Sequence, residues 1–358
     1  MVRESIIPFG PQHTAFLEPL NLRLRLDGER VAGADINLGY NHRGMEHALS
    51  LDYKKSQYLV ERVCGICSYH HASAYCQAME QMYGIEIPER AQIIRTIMME
   101  CQRLTSHLLA LGHIAEAVGY ESLFMTCFRE REHVMRLVNR VSGNRVHYSI
   151  NVIGGLKRDL DAELERDIAD TMALLRPRLD DLRRVFAKDA TLGARTRGIG
   201  VLTNEEARDW CVVGPVGRAS GVVRDIRQDG FAAYDRLTFW PIVREEGDCY
   251  ARAMVRMDEC LQAVDLIEEA LPLLREGPVA VQVKGHPQGE VFSRVEAPRG
   301  ELMYYVKAKG KLQLERIKLR TPAFVNVPAI QAMLENAYLA DVGVITVSVD
   351  PCICCTDR

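Results

Sequence analysis

Residues 62–72 read RVCGICSYHHA and residues 350–358 read DPCICCTDR, so a Cys-x-x-Cys pair stands near each end of the sequence: Cys64 with Cys67, and Cys352 with Cys355. Spacing of i and i+3 puts two sulfurs on the same side of a helical turn, where both can reach one metal. Taken singly, such a pair is as readily a zinc knuckle, a redox dithiol or a coincidence. The flanking sequence fits those explanations poorly. A thioredoxin-like dithiol follows a strand in a βαβ unit, whereas Cys64 follows a stretch with helical spacing. A zinc ribbon keeps its two knuckles within about 15–20 residues of each other; here most of the chain separates them. Terminal residues fray, and thiols on a frayed tail oxidise. A metal bond to Cys352 and Cys355 would pin that tail. Four thiolates around one soft metal is the simplest geometry, and it leaves zinc, iron–sulfur and nickel open.

The chain has 358 residues, 47% of them hydrophobic, enough for a sizeable core. A net charge of −3 argues against a general nucleic-acid binder. Apolar runs are far shorter than the roughly 20 residues that span a bilayer, and the opening MVRESIIPFG lacks the long apolar stretch of a signal peptide. Eleven cysteines, an odd count, make a disulfide framework unexpected and point to a reducing, cytoplasmic compartment.

Residues 20–38 alternate Leu with Arg or Asn up to Asp27-Gly28, which predicts a hairpin. From about Glu46 to residue 141 the spacing turns helical, with breaks expected near Gly84–Pro88, Gly119 and Gly143. A second helical region covers about 159–188, kinked or interrupted at Pro177. LGARTRGIG (192–200) reads as a loop, 248–271 as a helix ending at Pro272, and 282–322 as short strands. A helix near 328–338 and a final strand GVITVSVD (343–350) complete the reading. The fold class is α+β, mainly a helical bundle core. It has a β region over about 1–45, helices over about 46–275 and a C-terminal α+β part over about 276–358, taken as one domain.

With RVCGIC-x-x-x-H and DPC-x-x-C go GPQH (10–13), FLEPL with Glu18, HRGME (42–46) and EAPRG (296–300). This set resembles the large subunit of [NiFe] hydrogenases. ECQRLTSHLLALGHIAEAVG, FRERE and NRVHYSINVIGGLKRDL are similar to the quinone-site subunit of respiratory complex I. Together they resemble the group 4, membrane-bound energy-converting branch, of Ech or carbon-monoxide-linked type, over nearly the whole chain.

The resemblance implies a set of roles. Cys64 and Cys352 would be terminal nickel ligands, and Cys67 and Cys355 would bridge nickel and iron, whose other ligands are carbon monoxide and cyanide. Glu18 would relay protons beside a nickel thiolate. Arg299 would hang over the open side of the metals with Asp350 as its partner, and Pro298 would help form the pocket wall. His71 would donate a hydrogen bond towards a bridging sulfur. Many members carry a magnesium-binding histidine three residues after the last cysteine. Here Arg358 stands in that place and cannot be a neutral ligand, which leaves Glu46 as the candidate for any magnesium. Cys354 reads as a small packing residue. With Cys76, Cys101, Cys127, Cys211, Cys249 and Cys260 unpaired by motif, [4Fe–4S] clusters are expected only in partner subunits.

The implied partners are an iron–sulfur small subunit, integral membrane subunits and ferredoxin as electron donor. The implied place is the cytoplasmic face of the membrane, as a peripheral part of an ion-pumping complex. Two other readings stand beside this one: a complex I-like quinone-site subunit, which should lack the four cysteines, and a structural four-thiolate zinc protein.

Overall fold

Leu20, Leu22, Leu24 and Leu26 are buried while the residues between them face outward, the period-two signature of a half-covered strand. Strands Asn21–Asp27 (β2) and Arg30–Asn37 (β3) pair antiparallel around Gly28, whose φ of 62° suits glycine. A third strand, Ser5–Phe9 (β1), adds to the free edge of β2; the sequence reading did not include it. The computed structural model describes residues 5–358, so the first four residues of the N-terminal region lie outside the described residues.

Five long helices follow: Ser68–Tyr83 (α1), Glu89–Ala117 (α2), Glu121–Ser142 (α3), Ala162–Lys188 (α4) and Cys249–Ala270 (α5). The expected breaks fall at Gly84, Gly119 and Gly143, each with positive φ just past a helix end. Helix α2 is buried on nearly all sides, and α3, α4 and α5 pack with it as a bundle. On α4 the buried stripe is Ile168, Met172, Leu175, Leu179, Leu182 and Phe186, at helical spacing. Asp161 caps its start by accepting the Glu163 and Leu164 N–H groups. The interruption expected at Pro177 does not occur. Pro177 and the residue one turn back both face solvent, so water can take up the carbonyl that the missing N–H leaves free.

The C-terminal strands are Gln288–Ala297 (β4), Gly300–Lys309 (β5) and Leu314–Arg320 (β6), an antiparallel meander against α1. Three local readings need correction. GVITVSVD is a helix, Val342–Val349, not a strand. It is buried against α2 and α5, and a short β-branched run enclosed on all sides carries no periodicity to separate the two states. The loop placed at 192–200 begins inside a helical turn, Ala190–Thr196, capped by Asp189. The helix placed near 328–338 is shorter, Ile330–Leu334, and follows two other short helical pieces, Pro322–Asn326 and Val327–Ala329.

Candidate metal centre

The four sulfurs named in the sequence meet. Cys64 Sγ lies 3.4 Å from Cys352 Sγ, and Cys67 Sγ lies 3.5 Å from Cys355 Sγ, all four residues buried. The sulfurs of Cys64, Cys67 and Cys355 fall within 4.8 Å of one another. A metal with bonds of about 2.3 Å to sulfur spans such a cluster.

The first pair is not on a helical turn, as the spacing suggested. Cys64 is extended and Cys67 is the residue immediately before α1. In this tighter knuckle the backbone N–H groups of Ile66 and Cys67 point at Cys64 Sγ, at 3.2 and 3.3 Å. Donors aimed at a sulfur favour its anionic form. Hydrogen bonds from the Cys352, Cys355 and Cys67 thiols draw the Cys64 thiol well below its ordinary range, and those of Cys67, Cys352 and Cys355 lie well above theirs. Buried sulfurs this close could all be ionised only with a cation among them, and the donor set suits a soft one.

The second pair is tied to the first by Arg43, which the sequence reading did not single out. Its guanidinium donates to the carbonyls of Arg62 and Val63, just before Cys64, and to that of Cys354. Thr321 adds a bond to the Cys355 carbonyl at 2.8 Å. Cys354 is half-buried, not a packed core residue. It accepts from Asn41 at 2.9 Å, and burial and the neighbouring Glu18 push its thiol up to about 12. The other cysteines are dispersed, five buried and Cys211 exposed.

Around the sulfurs stand the four other expected residues. Glu18, in the stretch between β1 and β2, accepts the Ile353 and Cys354 N–H groups on one carboxylate oxygen, at 2.5 and 3.1 Å. His71, on α1, has its Nε2 3.6 Å from Cys355 Sγ and its Nδ1 2.6 Å from the Tyr304 hydroxyl. Burial pushes His71 down to about 4, so it is neutral. A Tyr304 hydroxyl donating to Nδ1 leaves the N–H on Nε2, facing the sulfur.

Arg299 is buried beside Pro298 in the turn between β4 and β5. It donates Nη2 to Asp350 Oδ1 at 2.6 Å and Nε to the Asp350 carbonyl at 2.8 Å. A third contact joins Nη1 to Ser106 Oγ at 3.3 Å. Burial works against its charge, but Asp350 and the cysteine sulfurs hold its pKa well above the usual value. The turn fits only because Gly214 crosses it: a Cβ there would lie 2.3 Å from the Arg299 carbonyl oxygen. Asp350 itself has φ 59°, a left-handed conformation that Asp tolerates better than most residues.

Glu46, the candidate for any magnesium, is engaged by three donors of the chain. Its carboxylate takes the Leu319 N–H at 3.1 Å, Arg358 Nε at 3.1 Å and Lys318 Nζ at 3.2 Å. Burial raises its pKa, but these three donors outweigh it and hold the group below its ordinary value. Two of those donors, Lys318 and Arg358, are side-chain cations.

A second polar group, absent from the sequence reading, lies against Arg299. Ser106 is followed by His107, whose Nε2 meets Glu259 Oε2 at 2.8 Å. Glu259 pairs with Arg218, which also holds Glu296 and Asp225; Arg227 joins Asp225, and Arg103 joins Glu100. All are buried. The hint in the sequence was Glu100, Arg103 and His107 at i, i+3 and i+7, on one face of the helix. Four carboxyls face three guanidinium groups here. Glu296 carries the imbalance: burial and the nearby Asp225 push its carboxyl up to about 7.

Comparison with other proteins agrees with this geometry. The "Nickel-dependent hydrogenase" family matches residues 43–175, and the "Respiratory-chain NADH dehydrogenase, 49 Kd subunit" family matches 117–286 and 282–358. The carbon monoxide-induced hydrogenase of Rhodospirillum rubrum is 40% identical over 98% of this chain and 99% of its own length. The chain belongs to the large-subunit family of membrane-bound, complex I-related nickel–iron hydrogenases. Within that family, the membrane-bound hydrogenase subunit alpha of Pyrococcus furiosus is also 40% identical, over 98% of this chain and 87% of its own. A chain from the membrane-bound sulfane sulfur reductase, an archaeal respiratory membrane complex, superposes with a TM-score of 0.95 at 32% identity. That match covers 99% of this chain and 98% of the other. Among the described residues no helix is long and apolar enough to cross a membrane.

Proposed function

We propose that this chain is the catalytic subunit of a [NiFe] hydrogenase, interconverting H2 with two protons and two electrons. The observation that carries the reading is the meeting of four buried sulfurs with Glu18, Arg299–Asp350 and His71 at one spot, drawn from both ends of the sequence. Cys64 and Cys352 would hold nickel, and Cys67 and Cys355 would hold nickel and iron together, with carbon monoxide and cyanide completing the iron. When bound, that centre supplies the redox chemistry and the site at which H2 is split or formed.

The chain's own residues do the rest. Arg299, fixed at three points, presents a permanent positive charge beside the sulfurs without spending rotamer entropy at each turnover. Its charge survives burial because Asp350 accompanies it. Glu18, which accepts from the backbone of the Cys352–Cys355 loop, would exchange a proton with a cysteine sulfur. His71, neutral and oriented by Tyr304, steadies the charge on Cys355. Electrons would arrive from an iron–sulfur small subunit with a [4Fe–4S] cluster, supplied by ferredoxin. The chain would sit peripherally on the cytoplasmic face of an ion-pumping membrane complex. The membrane-bound relatives support that setting.

A quinone-site role of complex I type has the family match in its favour, but it gives the four converging thiols no work. A zinc protein would use the thiols and leave Glu18, Arg299 and His71 without a reason to surround them. The purified complex, supplied with reduced ferredoxin, is expected to evolve H2 and to exchange H2 with D2O. A metal-replete complex that does neither overturns the hydrogenase reading.

A further inference from the structure

A small, partly open cavity of about 30 Å³ lies beside Glu18. It is lined by Glu18, Asp350, His113 and the apolar Phe16, Leu17 and Val347. That volume holds one water molecule. Two of the lining residues each keep a buried polar atom with no protein partner, Asp350 Oδ2 and His113 Nε2. Asp350 is more than nine-tenths buried. A largely apolar pocket lined by two residues with unpartnered polar atoms calls for a bridging water.

His113 links this pocket to the outside. It lies near the end of α2, with its side chain only 15% exposed. Its other nitrogen, Nδ1, meets Glu116 Oε2 at 2.9 Å, and the Glu116 side chain is 53% exposed. A carboxylate can only accept, so Nδ1 carries the hydrogen and Nε2 offers its lone pair on the cavity side. The ring is also held by Phe124 and Phe128, at 5.7 and 5.8 Å between centroids.

We infer that His113 is the next proton carrier beyond Glu18, and that the Glu18–cavity–His113–Glu116 line is the route by which protons pass between the metal centre and solvent. This rests on the reading of Glu18 as the group that exchanges protons with a cysteine sulfur. In the outward direction the Glu18 carboxyl gives its proton to a cavity water, which passes one of its own to His113 Nε2. The Nδ1 proton moves to Glu116. The net change is one proton moved from Glu18 to Glu116, with no change in electron count. Glu116 then loses the proton to solvent, and the imidazole ring reorients so that its N–H again faces Glu116 and its bare nitrogen faces the cavity, ready for the next proton. Asp350, paired with Arg299, lines the cavity and helps to hold the water.

The test uses the intact membrane complex carrying His113→Gln or His113→Ala. Three readouts are compared: metal content, conversion of para- to ortho-hydrogen, which needs only cleavage at the centre, and exchange of H2 with D2O, which needs the proton to leave. Both variants are expected to keep metals and para–ortho conversion, while exchange with D2O falls on the order of tenfold or more. Added imidazole should restore exchange to His113→Ala and not to His113→Gln, where the side chain fills the gap. Exchange at the wild-type rate in both variants overturns the route. So does loss of the metals in His113→Gln, which would make the residue a structural one. Glu18→Gln, measured alongside, separates the two claims. Wild-type exchange there removes the Glu18 reading, whereas impaired exchange there beside unimpaired His113 variants removes only the exit through His113.

Discussion

Cys64, Cys67, Cys352 and Cys355 were legible from sequence because ligand chemistry restricts residue type and spacing at a metal site. Tyr304, Arg43 and Ser106 were not. Each is an ordinary residue within its own segment and gains its role only when the fold carries it to His71, to the two cysteine loops or to Arg299. The surroundings of Glu46 are hidden for a related reason: the sequence displays the acid but not the Lys318 and Arg358 that reach it across the fold. Two outcomes belong at this scale. Cys67→Ser is expected to lose both metals, as judged by elemental analysis, because its sulfur is one of the pair that would join them. Glu18→Gln should retain the metals yet slow exchange of H2 with D2O on the order of a hundredfold, the lower range for a lost acid–base group. Wild-type metal content in the first, or wild-type exchange in the second, contradicts the roles given to them.

Elements with a clear period were predicted well: the Leu-alternating hairpin and the long helices between glycine stops match what folds. Val342–Val349 shows where local sequence runs out, since its β-branched composition favours a strand while enclosure by α2 and α5 selects a helix. That helix sets Asp350 at its end, so the position of Arg299 depends on it and on the crossing of Gly214 over the β4–β5 turn. Gly214→Ala places a methyl group against backbone at a φ of 67°. The expected result is a destabilisation of about 1–3 kcal/mol, measured by denaturant unfolding, with H2 evolution falling further than metal content. An unfolding midpoint and activity equal to wild type would remove the glycine from the account.

For the molecule as a whole, the buried charges joining α2, α5 and the β4 strand make folding depend on pH. Glu296 titrates near 7 in the folded chain against 4.5 when unfolded, because burial and Asp225 disfavour its charge. The folded state therefore binds more protons than the unfolded one across that window, and this group's contribution falls as pH rises from 4.5 to 7. Neutralising it by Glu296→Gln should flatten that fall, gaining on wild type by on the order of 3 kcal/mol between the two pH values. Unfolding curves of the two proteins at each pH provide the measurement, and a constant difference between them contradicts the assignment. Arg218→Ala acts oppositely: it strands Glu259, Glu296 and Asp225 without their shared cation and should cost about 3–5 kcal/mol.

The claim on which the rest depends is that four cysteines from the two ends of the chain hold one nickel–iron centre. Elemental analysis of the purified complex, combined with infrared spectroscopy, tests it most directly. Nickel and iron together, with absorption bands from iron-bound carbon monoxide and cyanide that vanish in Cys67→Ser, are the predicted result. Zinc alone, or a well-folded complex without nickel, would contradict it.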